Sequence, residues 1–246
     1  MASKRMRVFA GPNGSGKTTI FKGILTENKV NLGVYVNADE IEAQLNFNSP
    51  IDFNAYQIIV THDQIQDFFK NSSFSPLKRN EPDLYKKISI ENNSFTTDAV
   101  IDSYIAADLA EFIRQQLLNN GISFTYETVM SHSGKIDFLK KARENGFRVY
   151  LYYVATDDPD ININRVKVRI EQDGHSVPDE VISNRYYKSL NNLREAVKQT
   201  DRAYIFDNSE TQANLIAEIN DGTDVTMNDA VEMPKWVAEY LLKNTN

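Results

Sequence analysis

An α/β fold with a doubly wound, five-stranded parallel sheet and helices on both faces is predicted by three observations. A short apolar run passes through a glycine-rich turn into a helical pattern, apolar strand-like runs alternate with helical periodicity along the chain, and Phe147–Ala155 is almost wholly apolar, as in a strand buried on both faces. The first strand is Arg7-Val-Phe-Ala10. It leads into Gly11-Pro-Asn-Gly-Ser-Gly-Lys-Thr-Thr19, and Ile20, Phe21, Ile24 and Leu25 mark a helix. Gly33–Asn37 gives a second strand, and the acidic pair Asp39-Glu40 suits the start of the helix after it.

From about Phe47 to Thr97 the rhythm breaks into Asn and Ser clusters with Pro50, Pro76 and Pro82, around one aromatic-rich helical stretch near Tyr56–Phe69. This reads as a helical insertion between strands two and three, carried by a single domain of residues 1–246. A long amphipathic helix is expected from Asp98 to Asn119, then a third strand at Ile122–Thr128 and a helix at Lys135–Glu144. After the fourth strand come helices at about Asp160–Gln172 and Pro178–Gln199 around Asp173-Gly-His-Ser-Val177, and a fifth strand at Ala203–Asp207. The tail reads as a hairpin at Asp221-Gly222 and a closing helix from about Pro234 to Leu242, with Trp236 packed against the core.

Composition narrows the function. The 246 residues carry 27 basic and 34 acidic side chains, a net charge of −7, and no cysteine. Thiolate metal sites and disulfide scaffolds are therefore excluded, and the overall charge disfavours a surface that tracks nucleic-acid phosphates. No apolar run approaches the roughly 18–20 residues of a membrane span, and a cytoplasmic protein is expected. The three histidines, at 62, 132 and 175, have no metal-ligand spacing.

Gly11-x4-Gly16-Lys17-Thr18 fits the phosphate-binding loop, in which glycines let backbone N–H groups curl around phosphate oxygens at a helix N-terminus. Gly11, Pro12, Asn13, Gly14, Ser15, Gly16, Lys17, Thr18 and Thr19 are thus the expected nucleotide contacts, with Lys17 on the β- and γ-phosphates and the Thr18 hydroxyl on magnesium. The fold class is accordingly that of the P-loop kinases. Asp39, just past the second strand, is placed to accept the proton of an acceptor hydroxyl, although the position equally suits a helix cap. Glu127 and Thr128 end the third strand, where a carboxylate can hold substrate hydroxyls or magnesium-bound water. A lid is expected over 165–185, with Arg169 and Arg185 on the transferring phosphate and Arg165 as a further substrate contact or an alternative to Arg169.

Together Gly11–Thr18, Asn37-Ala-Asp-Glu-Ile41, Glu127-Thr128, Gly174-His-Ser-Val-Pro178 and Arg185-Tyr-Tyr-Lys-Ser-Leu-Asn-Asn-Leu193 resemble the zeta toxin family, over about Arg7 to Ser209. The resemblance implies a kinase that uses ATP and Mg2+ to phosphorylate the sugar 3′-hydroxyl of UDP-N-acetylglucosamine, and an antitoxin partner that covers the nucleotide site. It implies Asp39 as base, Glu127 and Thr128 on the sugar, and two lid arginines on the phosphate. Two other readings fit the loop. One is a polynucleotide 5′-hydroxyl kinase, for which Lys78, Arg79, Lys86 and Lys87 are the local basic cluster; the other is a nucleotide-dependent switch that grips a partner protein through the insertion.

Overall fold

The computed structural model describes residues 3–28, 31–72, 74–170 and 177–243. In chain order the elements are β1 (Arg5–Ala10), α1 (Lys17–Asn28), β2 (Val34–Val36), α2 (Ala38–Asn46), β3 (Ile51–Asp52), α3 (His62–Asn71), α4 (Ser75–Lys78), β4 (Ile88–Glu91) and β5 (Ser94–Thr97). There follow α5 (Ser103–Asn119), β6 (Phe124–Thr128), α6 (Gly134–Glu144), β7 (Arg148–Ala155), α7 (Pro159–Ile170), α8 (Asp179–Lys198), β8 (Arg202–Asp207), β9 (Asn214–Asn220), β10 (Asp224–Met227) and α9 (Lys235–Val237), which continues as a π-turn over Ala238–Leu242. The fold is the expected α/β class, with a mostly parallel central sheet flanked by helices.

The chain divides into two compact units, residues 1–31 with 125–246, and residues 32–124. In the first, the strands run in the order β10-β9-β8-β7-β1-β6. β7 lies parallel to both β1 and β8, in register from Arg5 opposite Arg148 to Ala155 opposite Asp207. Its Val149, Leu151, Tyr153, Val154 and Ala155 are all fully buried, as its apolar sequence predicts for a central strand. β9 returns antiparallel to β8 and turns through Asp221-Gly222 into β10, both turn residues having positive φ (48° and 71°). An Asp-Gly turn of this hand matches the twist of the strands it joins. Trp236 is 2% exposed, and its indole N–H donates to Asp207 Oδ1 at 2.8 Å, which seats the closing helix on the end of β8.

The second unit is wider than the expected insertion, because α2 and α5 pack on one another and bring in the residues that flank it. Its centre is a three-stranded antiparallel sheet, β3-β5-β4, where helices alone were expected. The β4–β5 turn is Asn92-Asn93, both at positive φ (48° and 60°), between two runs of alternating side chains. The aromatic stretch splits in two: Phe53–Tyr56 forms a 3-10 turn, and α3 begins only after Thr61, whose backbone and hydroxyl exchange hydrogen bonds with Gln64 in a capping box. Phe53, Phe69, Phe95 and Phe112 form the core of this unit, with Phe53 edge-on to Phe112 at 6.1 Å. The long helix starts at Ser103 rather than Asp98, since the Asp102 carboxylate caps the amides of Tyr104 (3.1 Å) and Ile105 (3.0 Å).

The indole contact gives a stability prediction. Trp236→Phe keeps most of the buried ring but strips one donor from a buried carboxylate, and should cost about 1.5–3 kcal/mol in denaturant unfolding; an unchanged midpoint would show that Asp207 does not depend on it.

Candidate active site

The loop between β1 and α1 is folded around its own backbone. Gly11 donates its N–H to Thr128 O at 3.2 Å, Ser15 to Pro12 O at 3.3 Å, and Thr19 and Ile20 both to Gly16 O at 3.1 Å, the first turn of α1. Lys17 reaches back over the loop, its ammonium donating to Gly11 O and Pro12 O, each at 2.9 Å. Thr18 is exposed at the mouth and donates its hydroxyl to Glu127 Oε2 at 2.9 Å. The two expected magnesium-related groups, from opposite ends of the sequence motifs, are thus in direct contact. Thr128 has no such reach: its hydroxyl accepts the amide of Met130 at 3.3 Å and its carbonyl holds Gly11.

Two asparagines that sequence reasoning passed over fix this loop from outside. Asn162, fully buried in the first turns of α7, donates its amide to Asn13 O and accepts from the Thr156 hydroxyl. Asn208, one residue past β8, donates to Ser15 O at 2.8 Å while its own N–H is held by Ala155 O at 2.8 Å. The fit is close: a Cβ on Gly14 would stand 2.5 Å from Asn162 O, and one on Gly16, where φ is +94°, 2.2 Å from the Asn208 amide nitrogen. The signal that could have found Asn208 is position, since it lies one residue beyond the carboxyl end of β8, where such sheets bind ligands, whereas Asn162 lies inside α7 and has no such mark.

The buried Ser15 hydroxyl and Asn13 Oδ1 have no hydrogen-bond partner within the protein. A buried donor left open in a loop of inward N–H groups fits a phosphate oxygen. Among the described residues no group of three His, Asp or Glu side chains could hold a metal ion by itself. A cation here would therefore take Thr18 and the neighbouring Glu127 together with oxygens of its ligand.

The expected lid arginines divide. Arg165 donates to Asn208 O at 2.7 Å and to Glu210 O at 3.1 Å, so its guanidinium grips the same segment that carries Asn208. Arg169 is exposed and Arg185 half-buried on α8, while the loop at 171–176, with the glycine and His175, lies outside the described residues. Asp39 belongs to the other compact unit. It sits exposed in the first turn of α2, and its N–H is accepted by the Asn37 side chain at 2.9 Å. The cap is thus Asn37, which leaves the Asp39 carboxylate unused by the helix start. Asn208→Ala should leave the fold intact and weaken nucleoside triphosphate binding about two- to tenfold, the worth of one net hydrogen bond; calorimetric titration with ATP measures it.

The zeta toxin family model matches residues 84–218, which include Glu127, Thr128, Arg165, Arg169 and Arg185. An uncharacterized protein of Haemophilus influenzae is 35% identical over 65 residues, 26% of this chain, and the match covers 46% of that relative, so the chain spans about half its length. Among solved structures, the PezAT chromosomal toxin-antitoxin system of Streptococcus pneumoniae superposes with a TM-score of 0.55 at 15% identity, covering 100% of this chain and 81% of that one. The AvrRxo1-ORF1:-ORF2 structure with ATP gives a TM-score of 0.53 at 15% identity, covering 93% of this chain and 62% of that one. At such identities these structures establish the fold. With its family model matched over more than half of its length, the chain belongs to the zeta toxin family.

Proposed function

We propose that this protein is an ATP-dependent kinase of zeta type, which transfers the γ-phosphoryl group of ATP to a hydroxyl of a small molecule, a nucleotide sugar such as UDP-N-acetylglucosamine. The observation that carries the reading is the 2.9 Å hydrogen bond from Thr18 to Glu127 beside a phosphate loop whose backbone is pinned by Asn162 and Asn208. Family membership supports the same reading.

In this reading Lys17 exchanges its hold on the loop carbonyls for β- and γ-phosphate oxygens, and the loop N–H groups from Gly14 to Thr19 take the remainder. Mg2+ would be held by the Thr18 hydroxyl, nucleotide oxygens and water, and would neutralise charge across the β–γ bridge. Glu127 orients water in that shell or an acceptor hydroxyl, and Thr128 lies beside it for the sugar. Asp39 accepts the acceptor's proton as its oxygen forms the new bond to phosphorus, while the β–γ bridging oxygen leaves with the bonding pair as ADP. Arg169 and Arg185 stabilise the charge on the phosphoryl group in transfer, and Arg165 orders the segment that carries Asn208.

The polynucleotide reading loses support from the second unit. Of the four basic residues named for that reading, three are engaged by carboxylates: Arg79 is paired with Glu81 at 2.9 Å and with Asp102, Lys87 with Glu81 at 2.5 Å, and Lys86 with Asp83 at 3.0 Å. Hydrogen bonds from Lys87 and Arg79 hold the Glu81 carboxyl below the usual range, so Arg79 and Lys87 face a fixed negative charge within their own cluster. An antitoxin that covers the nucleotide loop is the proposed partner, and the cytoplasm the proposed location; no described helix is long and apolar enough to cross a membrane.

The test is an acceptor assay with γ-labelled ATP, magnesium and UDP-N-acetylglucosamine, other nucleotide sugars or 5′-hydroxyl oligonucleotides. Asp39→Asn should lower transfer to the sugar about 10²–10⁴-fold, the usual worth of a general base, with ATP affinity held within about twofold. Transfer retained in that variant would remove Asp39 from the chemistry. Label on oligonucleotides alone, or ATP turnover that requires a protein partner and labels no acceptor, would replace the substrate assignment.

A further inference from the structure

The stretch Arg185-Tyr-Tyr-Lys-Ser-Leu-Asn-Asn-Leu193 carries more than the arginine that the kinase reading uses. Arg185 and Asn192 lie about two helical turns apart on α8 and so share nearly the same stripe. Between them the helix is fixed to the end of β7: the Tyr186 hydroxyl donates to Thr156 O at 2.6 Å, and the hydroxyls of Ser189 and Tyr153 meet at 2.8 Å. Ser189 and Tyr153 are fully buried and Tyr186 is 2% exposed, and burial raises both phenols above their ordinary range, so these contacts keep their protons. About one turn further on, the half-buried Asn192 donates its side-chain amide to Met130 O at 2.9 Å.

Met130 is the unusual residue at this edge of the sheet. It stands two residues past β6 with φ at +59°, in the left-handed region. Among the described residues, the other non-glycine positions with positive φ carry amide or carboxylate side chains, whereas Met130 carries an apolar one that is completely buried. A thioether offers no local hydrogen bond to offset that backbone geometry, so the surrounding structure has to hold it. It is held from both sides: the Thr128 hydroxyl accepts the Met130 N–H at 3.3 Å, and Asn192 donates to its carbonyl. Thr128 is also the residue whose carbonyl accepts the Gly11 N–H at 3.2 Å, and Glu127 beside it accepts the Thr18 hydroxyl at 2.9 Å. The strand end that meets the phosphate loop on one side is thus pinned by α8 on the other.

We propose that Asn192 is a positioning residue of the kinase: by holding Met130 in its left-handed conformation it fixes the end of β6, and with it the Glu127 carboxylate, against Thr18 and relative to the helix that carries Arg185. It acts through Met130 and Thr128 rather than on the phosphates. An asparagine suits the task, because its short neutral amide supplies a donor to a carbonyl without adding charge beside Glu127, whereas an ionised aspartate of the same shape offers acceptors alone.

Two measurements test this, and the first does not depend on the kinase reading on which the rate effect rests. In hydrogen–deuterium exchange of the full chain, Asn192→Ala and the isosteric Asn192→Asp should each speed exchange in peptides covering 125–134 and the glycine-rich loop about three- to tenfold, the worth of one hydrogen bond, and leave the β9–β10 hairpin unchanged. In the acceptor assay with UDP-N-acetylglucosamine, the same variants should lower kcat about three- to tenfold, with the KM for ATP within about twofold of the wild type. Asn192→Asp keeps the size of the side chain should the alanine variant fold poorly. A double-mutant cycle separates positioning from stability: because Asn192 acts through Glu127, Asn192→Asp should cost little further rate in a Glu127→Ala chain, whereas a role confined to stability adds its whole effect. Unchanged exchange at 125–134 in both variants overturns the proposal, and so does full additivity with Glu127→Ala. If the wild type labels no acceptor, the kinase reading fails on its own, and faster exchange at 125–134 would still support Asn192 as the residue that holds this strand end.

Discussion

A backbone loop that must point its N–H groups inward at one anion cannot also satisfy its own carbonyls by ordinary secondary structure. In this protein side-chain amides resolve the conflict. Asn162 takes Asn13 O, Asn208 takes Ser15 O, and Lys17 covers Gly11 O and Pro12 O, so the loop's acceptors face protein donors and its remaining donors face the ligand space. The glycines follow from this closeness, because a Cβ on Gly14 or Gly16 would stand where those asparagines stand. The helix after β7 and the segment after β8 therefore hold the glycine-rich loop although neither bears its motif.

The same dependence reaches the end of the chain. Arg165 ties α7 to the carbonyls of Asn208 and Glu210, and Trp236 ties the closing helix to Asp207, the residue before Asn208. Asp207 also accepts the Ser209 hydroxyl at 2.9 Å, and Ser209 in turn accepts the Asp157 N–H at 2.8 Å. A single connected set of polar contacts thus runs from the phosphate loop through the ends of β7 and β8.

Local rules made much of the fold legible. The glycine motif flanked by strand and helix, the apolar run of β7, and the Asp221-Gly222 turn each rest on chemistry contained within a few residues. Where a boundary depended on a competing cap, the periodic pattern ran past it: Asp102 starts α5 and Thr61 starts α3, although apolar spacing continues upstream of both. The antiparallel sheet of the second unit was also readable, since Asn92-Asn93 between alternating side chains is a hairpin signal, but proline and asparagine clusters on either side masked it.

The sequence by itself determined the α/β class and the identity of the phosphate-loop residues, because those properties follow from residue type and short-range spacing. It also singled out Glu127, which the fold brings onto Thr18 from 109 positions along the chain. Only the tertiary structure decided that two asparagines hold the loop with an arginine behind one of them, that Arg79, Lys86 and Lys87 of the second unit are engaged by acidic neighbours, and that Phe9, Tyr152 and Tyr204 stack across three strands. The reason is physical: a hydrogen bond or ion pair depends on which strand ends and helix turns meet, and that is fixed by sheet order and register, which no local pattern encodes.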